Sequence, residues 1–303
     1  MKRFFALSRT THGILDLATP AFCALLWLGG FPQLTVILLS LFTAFAGYTA
    51  VYALNDLVGV KDDREKFADN GINPGYSVEA SEQRYPLARN LLSLKNGWLW
   101  AGTWFILALI GSYLLNPVIV FILLTAAVLE IIYCLLLKVT YLRTLVSGVV
   151  KTSGPIAAVF VVDSNPSPYF LLLLFIWLFL WEIGGQNIPA DWNDTVEDRR
   201  VNAKTIPIRF GIEKAGLIVI TALAFTVIAS GFLSLISPAN LGLPYILTSL
   251  LVGYVFLLKP GFQLNKFKEG RYAARLFDKA SHYPLAQLVL ITIFLAINMG
   301  LGA

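Results

Sequence analysis

Two short segments of this chain carry the residue types and spacing of a cation site. The first is NDLVGVKDDREKF, Asn55 to Phe67, and the second is ADWNDTVEDRRVNAKTIP, Ala190 to Pro207. Asp191, Asp194 and Asp198 stand at i, i+3 and i+7, which is one face of an α-helix. Asp56 and Asp63 are also seven residues apart and share a face. Carboxylates crowded on one face repel each other unless a cation lies between them. With no His or Cys beside them they suit Mg²⁺, a hard ion that takes oxygen ligands and bridges to phosphate oxygens. The only histidines, His12 and His282, are far away in sequence and read as polar residues at a membrane edge.

The two segments share a frame. Asp56 aligns with Asp191, Gly59 with Asp194, Asp63 with Asp198 and Arg64 with Arg199. Each is followed by a basic, proline-bearing stretch: RYPLAR (Arg84 to Arg89) after the first and AKTIPIRFG (Ala203 to Gly211) after the second. A single acidic loop is adequately explained as solvated charge balancing Lys and Arg. Two with one spacing, each directly after an apolar run, point to a duplicated unit with a site at the repeat interface. Gly59 leaves the first segment one carboxylate short. Asp63 is in frame for the site, and Asn55 offers an amide oxygen or an orienting hydrogen bond. Asp62 points about 100° away on an ideal helix, so it joins only if the helix loosens, which Gly59 permits.

The elements that position these residues must be membrane spans. Hydrophobic residues make up 57% of the 303-residue chain and charged residues 14%, against roughly a quarter charged in ordinary soluble domains. Apolar runs long enough to cross about 30 Å of hydrocarbon recur from end to end, as in Val36 to Leu54 and Tyr169 to Trp181. The pattern predicts about nine spans, at 14–30, 34–54, 96–115, 117–137, 142–162, 168–188, 212–236, 242–259 and 283–302. Pro20 and Pro155 fall inside spans, where neighbouring helices can satisfy the freed backbone groups. The fold class is therefore all-α: one polytopic membrane domain over residues 1–303, with pseudo-repeats at 14–140 and 142–303.

Lys and Arg set the orientation. With the N-terminus in the cytoplasm, the lead-in and the segments 55–95, 138–141, 189–211 and 260–282 are cytoplasmic. The turns GGFPQ, LLNP, DSNPSP and SPANLG on the other side hold no Lys or Arg, and the C-terminus lies outside. All 23 basic residues fall in cytoplasmic segments or near the cytoplasmic ends of spans, Lys151 lying deepest. This positive-inside pattern accounts for the +5 net charge, so the partner is the lipid bilayer of the cell membrane and not nucleic acid. The basic start MKRFFALSRTTHG has no short apolar core and cleavage site behind it and reads as a cytoplasmic lead-in. Cys23 and Cys134 sit in apolar runs and read as small buried residues, not a disulfide pair.

At the acidic segments the sequence resembles the UbiA superfamily of intramembrane prenyltransferases. The family's first motif is Asn-Asp-x-x-Asp-x-x-x-Asp, matched here by Asn55, Asp56 and Asp63 with Gly59 in place of the middle Asp. Its second contains Asp-x-x-x-Asp, present as Asp194 and Asp198 with Asp191 ahead of it. The resemblance implies a nine-span bundle, Mg²⁺, an allylic prenyl diphosphate donor and a lipophilic or aromatic acceptor that varies by subfamily. It also implies a Tyr and a diphosphate-binding Lys at the end of the fourth span, here Tyr133 and Lys138.

The expected chemistry is transfer of an isoprenyl group by ionisation of the diphosphate. Metal ligands would come from Asn55, Asp56, Asp62, Asp63, Asp191, Asp194 and Asp198. Fixed cations stabilise charge building on the leaving oxygen, and the candidates are Arg64, Lys138, Arg199 and Lys204. Tyr133 and Trp192 could shield an allylic cation from water and face it with a ring. Asp16, Glu130 and Glu182 are ionisable groups within or at the ends of spans, where such residues usually face an interior cavity. Glu182 could bind the acceptor, take its proton, or make a structural hydrogen bond. The competing readings are a transporter and a non-catalytic isoprenoid-binding relative. Acids gathered at span mouths, not at mid-membrane, argue against the first, while Gly59 motivates the second.

Overall fold

The computed structural model describes residues 1–66 and 85–301. Phe67, Arg84 and the stretch between them lie outside the described residues, as do 302–303 at the end of the ninth expected span. Among the described residues nine helices are long and apolar enough to cross a membrane. They are α1 (Thr10–Leu28), α2 (Leu34–Lys66), α3 (Leu94–Leu115), α4 (Pro117–Leu135), α5 (Arg143–Val162), α6 (Pro168–Asn193), α7 (Ile206–Ile236), α8 (Gly242–Phe267) and α9 (Gly270–Asn298). The protein is an all-helical integral membrane protein, as the apolar runs require.

Several helices outrun their apolar stretches, α2 and α9 by the most. α2 continues without a break through the whole first acidic segment to Lys66, and α9 begins at Gly270, well before residue 283. Apolarity marks where a helix meets lipid, not where it ends. The added turns, DREK in α2 and RYAARLFDKA in α9, are rich in good helix formers.

The helices close into a ring around an interior space. α2 packs on α3 and α4, α4 on α5, and α5 on α1 and α6; α6 packs on α7 and α9, and α9 returns to α1. Small residues allow the close approaches. A Cβ on Gly111 of α3 would lie 2.1 Å from Thr43 Oγ1 of α2. One on Gly148 of α5 would lie 2.5 Å from the Phe179 ring of α6. Such small-residue contacts are how membrane helices gain packing where lipid gives no hydrophobic drive. The fully buried Trp177 and Trp181 of α6, Tyr245 of α8 and Tyr283 of α9 belong to one core that holds the second half of the bundle together.

α6 is not a regular helix. Glu182–Asn187 forms a wide π turn, followed by the short helix Ile188–Asn193. Pro189 has no N–H to give the preceding turn, and Gly184–Gly185 adds little resistance to widening. The chain bends again at Asp194 (φ −93, ψ 14) before the helix Thr195–Arg200. The single helical face expected for Asp191, Asp194 and Asp198 is thus two helix ends meeting at Asp194.

Asn165 is exposed in the turn after α5 and Glu269 is exposed between α8 and α9, at opposite ends of the bundle. In a variant lacking Cys23 and Cys134, a cysteine at 165 should react with an impermeant maleimide on intact cells. A cysteine at 269 should react only after permeabilisation. Reaction of both from one side would contradict the nine-span order.

Candidate active site

The two acidic segments meet at one end of the bundle. Lys66, the last residue of α2, holds its Nζ 2.6 Å from Asp198 Oδ1, and Arg200 donates to the Lys66 carbonyl at 3.4 Å. The mouth opens into a cavity of about 620 Å³. On α2 its walls run from Asp63 and Lys66 down to Val36, about 40 Å along the helix. Asp62, Asp63, Asp191, Asp194 and Asp198 line the mouth. The far part is lined by Leu41, Ile119, Leu123, Val161 and other apolar side chains, with Gly47, Gly154 and Ala157 keeping it wide.

Between mouth and tail lies a polar belt. Arg143, the first residue of α5, pairs with Asp191 at 3.3 Å and lies over the Tyr133 ring with its Cζ 4.0 Å from the centroid. Its Nε is buried with no hydrogen-bond partner. Asn187, just past the π turn, donates to the Tyr133 hydroxyl at 3.1 Å. Lys151 pairs with Asp16 at 2.8 Å, and Tyr52 donates to the same carboxylate. Glu182 accepts from Ser147 at 2.7 Å through Oε1, while its Oε2 is buried with no hydrogen-bond partner.

The structure divides the expected site residues. Asp63, Asp191, Asp194, Asp198 and Tyr133 line one cavity. Asp56 does not; it is buried against Arg9 at 2.9 Å, because its position on α2 faces the turn before α1. Asn55 reaches the wall, but its amide oxygen accepts from Arg9 at 3.2 Å and its amide nitrogen donates to Glu130. Asp62 lies at the rim, tied to Lys138 at 2.8 Å. Lys138 also pairs with Glu65 at 2.7 Å and stays outside the cavity. Hydrogen bonds to Asp62 and Glu65 push its pKa above the ordinary lysine value. The α2 helix does not loosen at Gly59, so Asp62 keeps its outward position.

Arg64, Arg199 and Lys204 are exposed and line no part of the cavity. Arg64 donates to Asn90 at 3.0 Å, and Lys204 uses its backbone N–H to bind Leu137 O at 2.7 Å. Trp192 is buried among core residues and is a packing residue. The cations on the wall are instead Arg9, Lys66, Arg143 and Lys151. Only Lys151 carried a signal in the sequence, through its depth within a span. His12 is buried on the wall, beside Asp16 and against the rings of Tyr52 and Phe277, not at a membrane edge. Asp16 and Glu130 are likewise buried inside the bundle.

The second segment fits a divalent cation. Asp191 and Asp198 each keep an Oδ2 buried with no hydrogen-bond donor, and Asp194 adjoins them. Burial pushes the Asp198 carboxyl up in pKa, against the opposing pull of Lys66. Among the described residues no three His, Cys, Asp or Glu side chains converge as a ready-made ligand set. Ion pairs with the chain's own cations hold the carboxylates apart.

The sequence model of the UbiA prenyltransferase family matches residues 17–296. The chain belongs to that family. A ligand-free UbiA homologue from Aeropyrum pernix K1 is 17% identical, with a TM-score of 0.72 over 95% of this chain and 98% of that one. A UbiA homologue from Archaeoglobus fulgidus, bound to DMAPP and Mg²⁺, is 16% identical, with a TM-score of 0.68 over 96% of this chain and 99% of that one. A digeranylgeranylglyceryl phosphate synthase is 18% identical, with a TM-score of 0.66 over 98% and 97%. These likenesses establish the UbiA fold over nearly the whole chain. No curated protein sequence matches it.

Arg143 and Asp191 are both buried, so removing one leaves the other uncompensated. Arg143→Met should cost about 3 kcal/mol or more, read as a fall in detergent melting temperature. Adding Asp191→Asn should recover much of that loss. A single variant as stable as the parent would contradict the pairing.

Proposed function

We propose that the protein transfers an isoprenyl group from an allylic prenyl diphosphate to a lipophilic or aromatic acceptor, with Mg²⁺ at the second acidic segment. The observation that carries this reading is the joining of two unlike environments in one cavity. One end is ion-paired and carboxylate-rich; the other is lined by hydrocarbon side chains. An amphiphile with a diphosphate head and a hydrocarbon tail matches both. Family membership and the DMAPP and Mg²⁺ bound to the Archaeoglobus fulgidus homologue support it.

Mg²⁺, when bound, would supply positive charge that offsets the charge building on the leaving diphosphate. Asp191, Asp194 and Asp198 of the second segment are the residues to hold it, with Asp63 lining the same mouth. The unpaired Nε–H of Arg143, a residue of the same cavity wall, is available to donate to the diphosphate. As the allylic C–O bond breaks, its electron pair leaves with the diphosphate. The acceptor's nucleophilic atom then forms the new bond to that carbon and loses a proton. Tyr133, held by Arg143 and Asn187, supplies an aromatic face beside the site. The apolar wall excludes water that would otherwise capture the cation. The unpaired oxygen of Glu182 accepts a hydrogen bond from a polar group on the acceptor. The positive-inside pattern supports a cytoplasmic mouth, with the C-terminus outside.

Purified protein in lipid nanodiscs, given labelled geranyl diphosphate, Mg²⁺ and a panel of aromatic and lipid acceptors, should release diphosphate and form a labelled product. Chelation by EDTA or Asp198→Ala should reduce the rate at least about a hundredfold. Unchanged turnover in either case would contradict the reading.

A further inference from the structure

Among the described residues, the first acidic segment does not offer what a second metal ion needs. Asp56 is bound to Arg9 and turned away from the cavity, and Asp62 is bound to Lys138 at its rim. Gly59 lines the cavity in the place where the repeat has Asp194. Nothing steric keeps a side chain out: a Cβ there would meet only Asp63 Oδ2, at 3.6 Å. A carboxylate is missing from a position that has room for one.

A cation stands nearby instead. Lys66 lies three residues beyond Asp63 on the same helix and reaches across the mouth to Asp198 at 2.6 Å. Its side chain is 13% exposed and that of Asp198 1%. Asp63 and Asp194 are within electrostatic range of the same ammonium. Lys66 thus occupies the space between the two acidic segments. A lysine ammonium is a compact point charge with three donors and needs no octahedral cage. Mg²⁺ needs oxygen ligands at about 2.0–2.1 Å in near-ideal octahedral geometry.

We propose that Lys66 is a built-in cation that takes the place of one metal ion, so that the chain binds its diphosphate with a single Mg²⁺ on the second segment. This rests on the prenyl diphosphate reading above. The open place at Gly59 and the ammonium of Lys66 lie on the same helix, two turns apart, at the same mouth. The fixed charge spans the two segments without waiting for a second ion, and it competes with metal for Asp198 when no diphosphate is present.

Mn²⁺ in place of Mg²⁺ allows the ions to be counted by electron paramagnetic resonance, with the slow analogue geranyl thiolodiphosphate present. The full chain should bind one Mn²⁺ per analogue. The Gly59→Asp/Lys66→Met variant should bind two, with a spin-coupled signal. Lys66→Met alone, without analogue, should bind Mn²⁺ about tenfold more tightly than the parent. Two ions in the parent would overturn this proposal and leave the prenyltransferase reading standing. One ion in both proteins, or no gain in affinity for Lys66→Met, would overturn the role of Lys66. No analogue-dependent Mn²⁺ in the parent would overturn both readings. Gel filtration and melting temperature establish that each variant is folded.

Discussion

Carboxylates at the end of an apolar bundle cannot stand unpaired, and the way they are paired organises the protein. A buried charge without a partner costs several kcal/mol, in the range of about 3–5 when one member of a pair is removed. Here four of the acidic residues at this end are each matched from another part of the bundle. Arg9 before α1 takes Asp56, Lys138 after α4 takes Asp62, Arg143 of α5 takes Asp191, and Lys66 of α2 takes Asp198. These pairs pin the ends of five spans to one another. They also leave specific atoms unsatisfied: Asp191 Oδ2, Asp198 Oδ2 and Arg143 Nε. A cation and an anion together would satisfy all of them, which is what a metal-bound diphosphate provides.

The apolar part of the cavity serves a different need. Its wide stretch exists because Gly47, Gly154 and Ala157 face it where larger side chains would close it. The polar belt around Lys151, Asp16 and Glu182 interrupts the apolar wall at mid-depth. Ionisable groups are costly there, and they are held in pairs or hydrogen bonds that join four different helices. The belt gives the cavity two kinds of surface for two substrates: hydrocarbon wall for a tail, and hydrogen-bonding groups for a head.

The span order and the pairing of the two acidic segments were legible in the sequence because each has a strong physical signature. Hydrocarbon thickness dictates the apolar runs, and like-charge repulsion makes spaced carboxylates informative. Asp63, Asp191, Asp194 and Asp198, which line the cavity, were read this way, and Tyr133 from the family resemblance. The cations were not. Arg64, Arg199 and Lys204 adjoin the motifs in sequence but face outward, whereas Arg9 and Arg143 come from other helices and reach the site only through packing. Lys66 was hidden differently. It lies inside the first segment, yet nothing short of the position of Asp198 reveals where its side chain ends. The bend at Asp194 was missed because spacing read on an ideal helix assumes the helix continues. Pro189 and the Gly184–Gly185 pair mark the π turn before it, and Asn193–Asp194, turn-forming and N-cap residue types with Glu197 three positions on, mark the bend itself.

The account stands on one claim, that metal and diphosphate satisfy the same set of unpaired atoms and so bind cooperatively. Melting the detergent-solubilised protein with Mg²⁺ alone, geranyl diphosphate alone, and both together tests it directly. The account predicts a shift with both ligands larger than the sum of the separate shifts, and loss of the excess in Asp198→Ala. Additive shifts, or an excess that survives in Asp198→Ala, would contradict it.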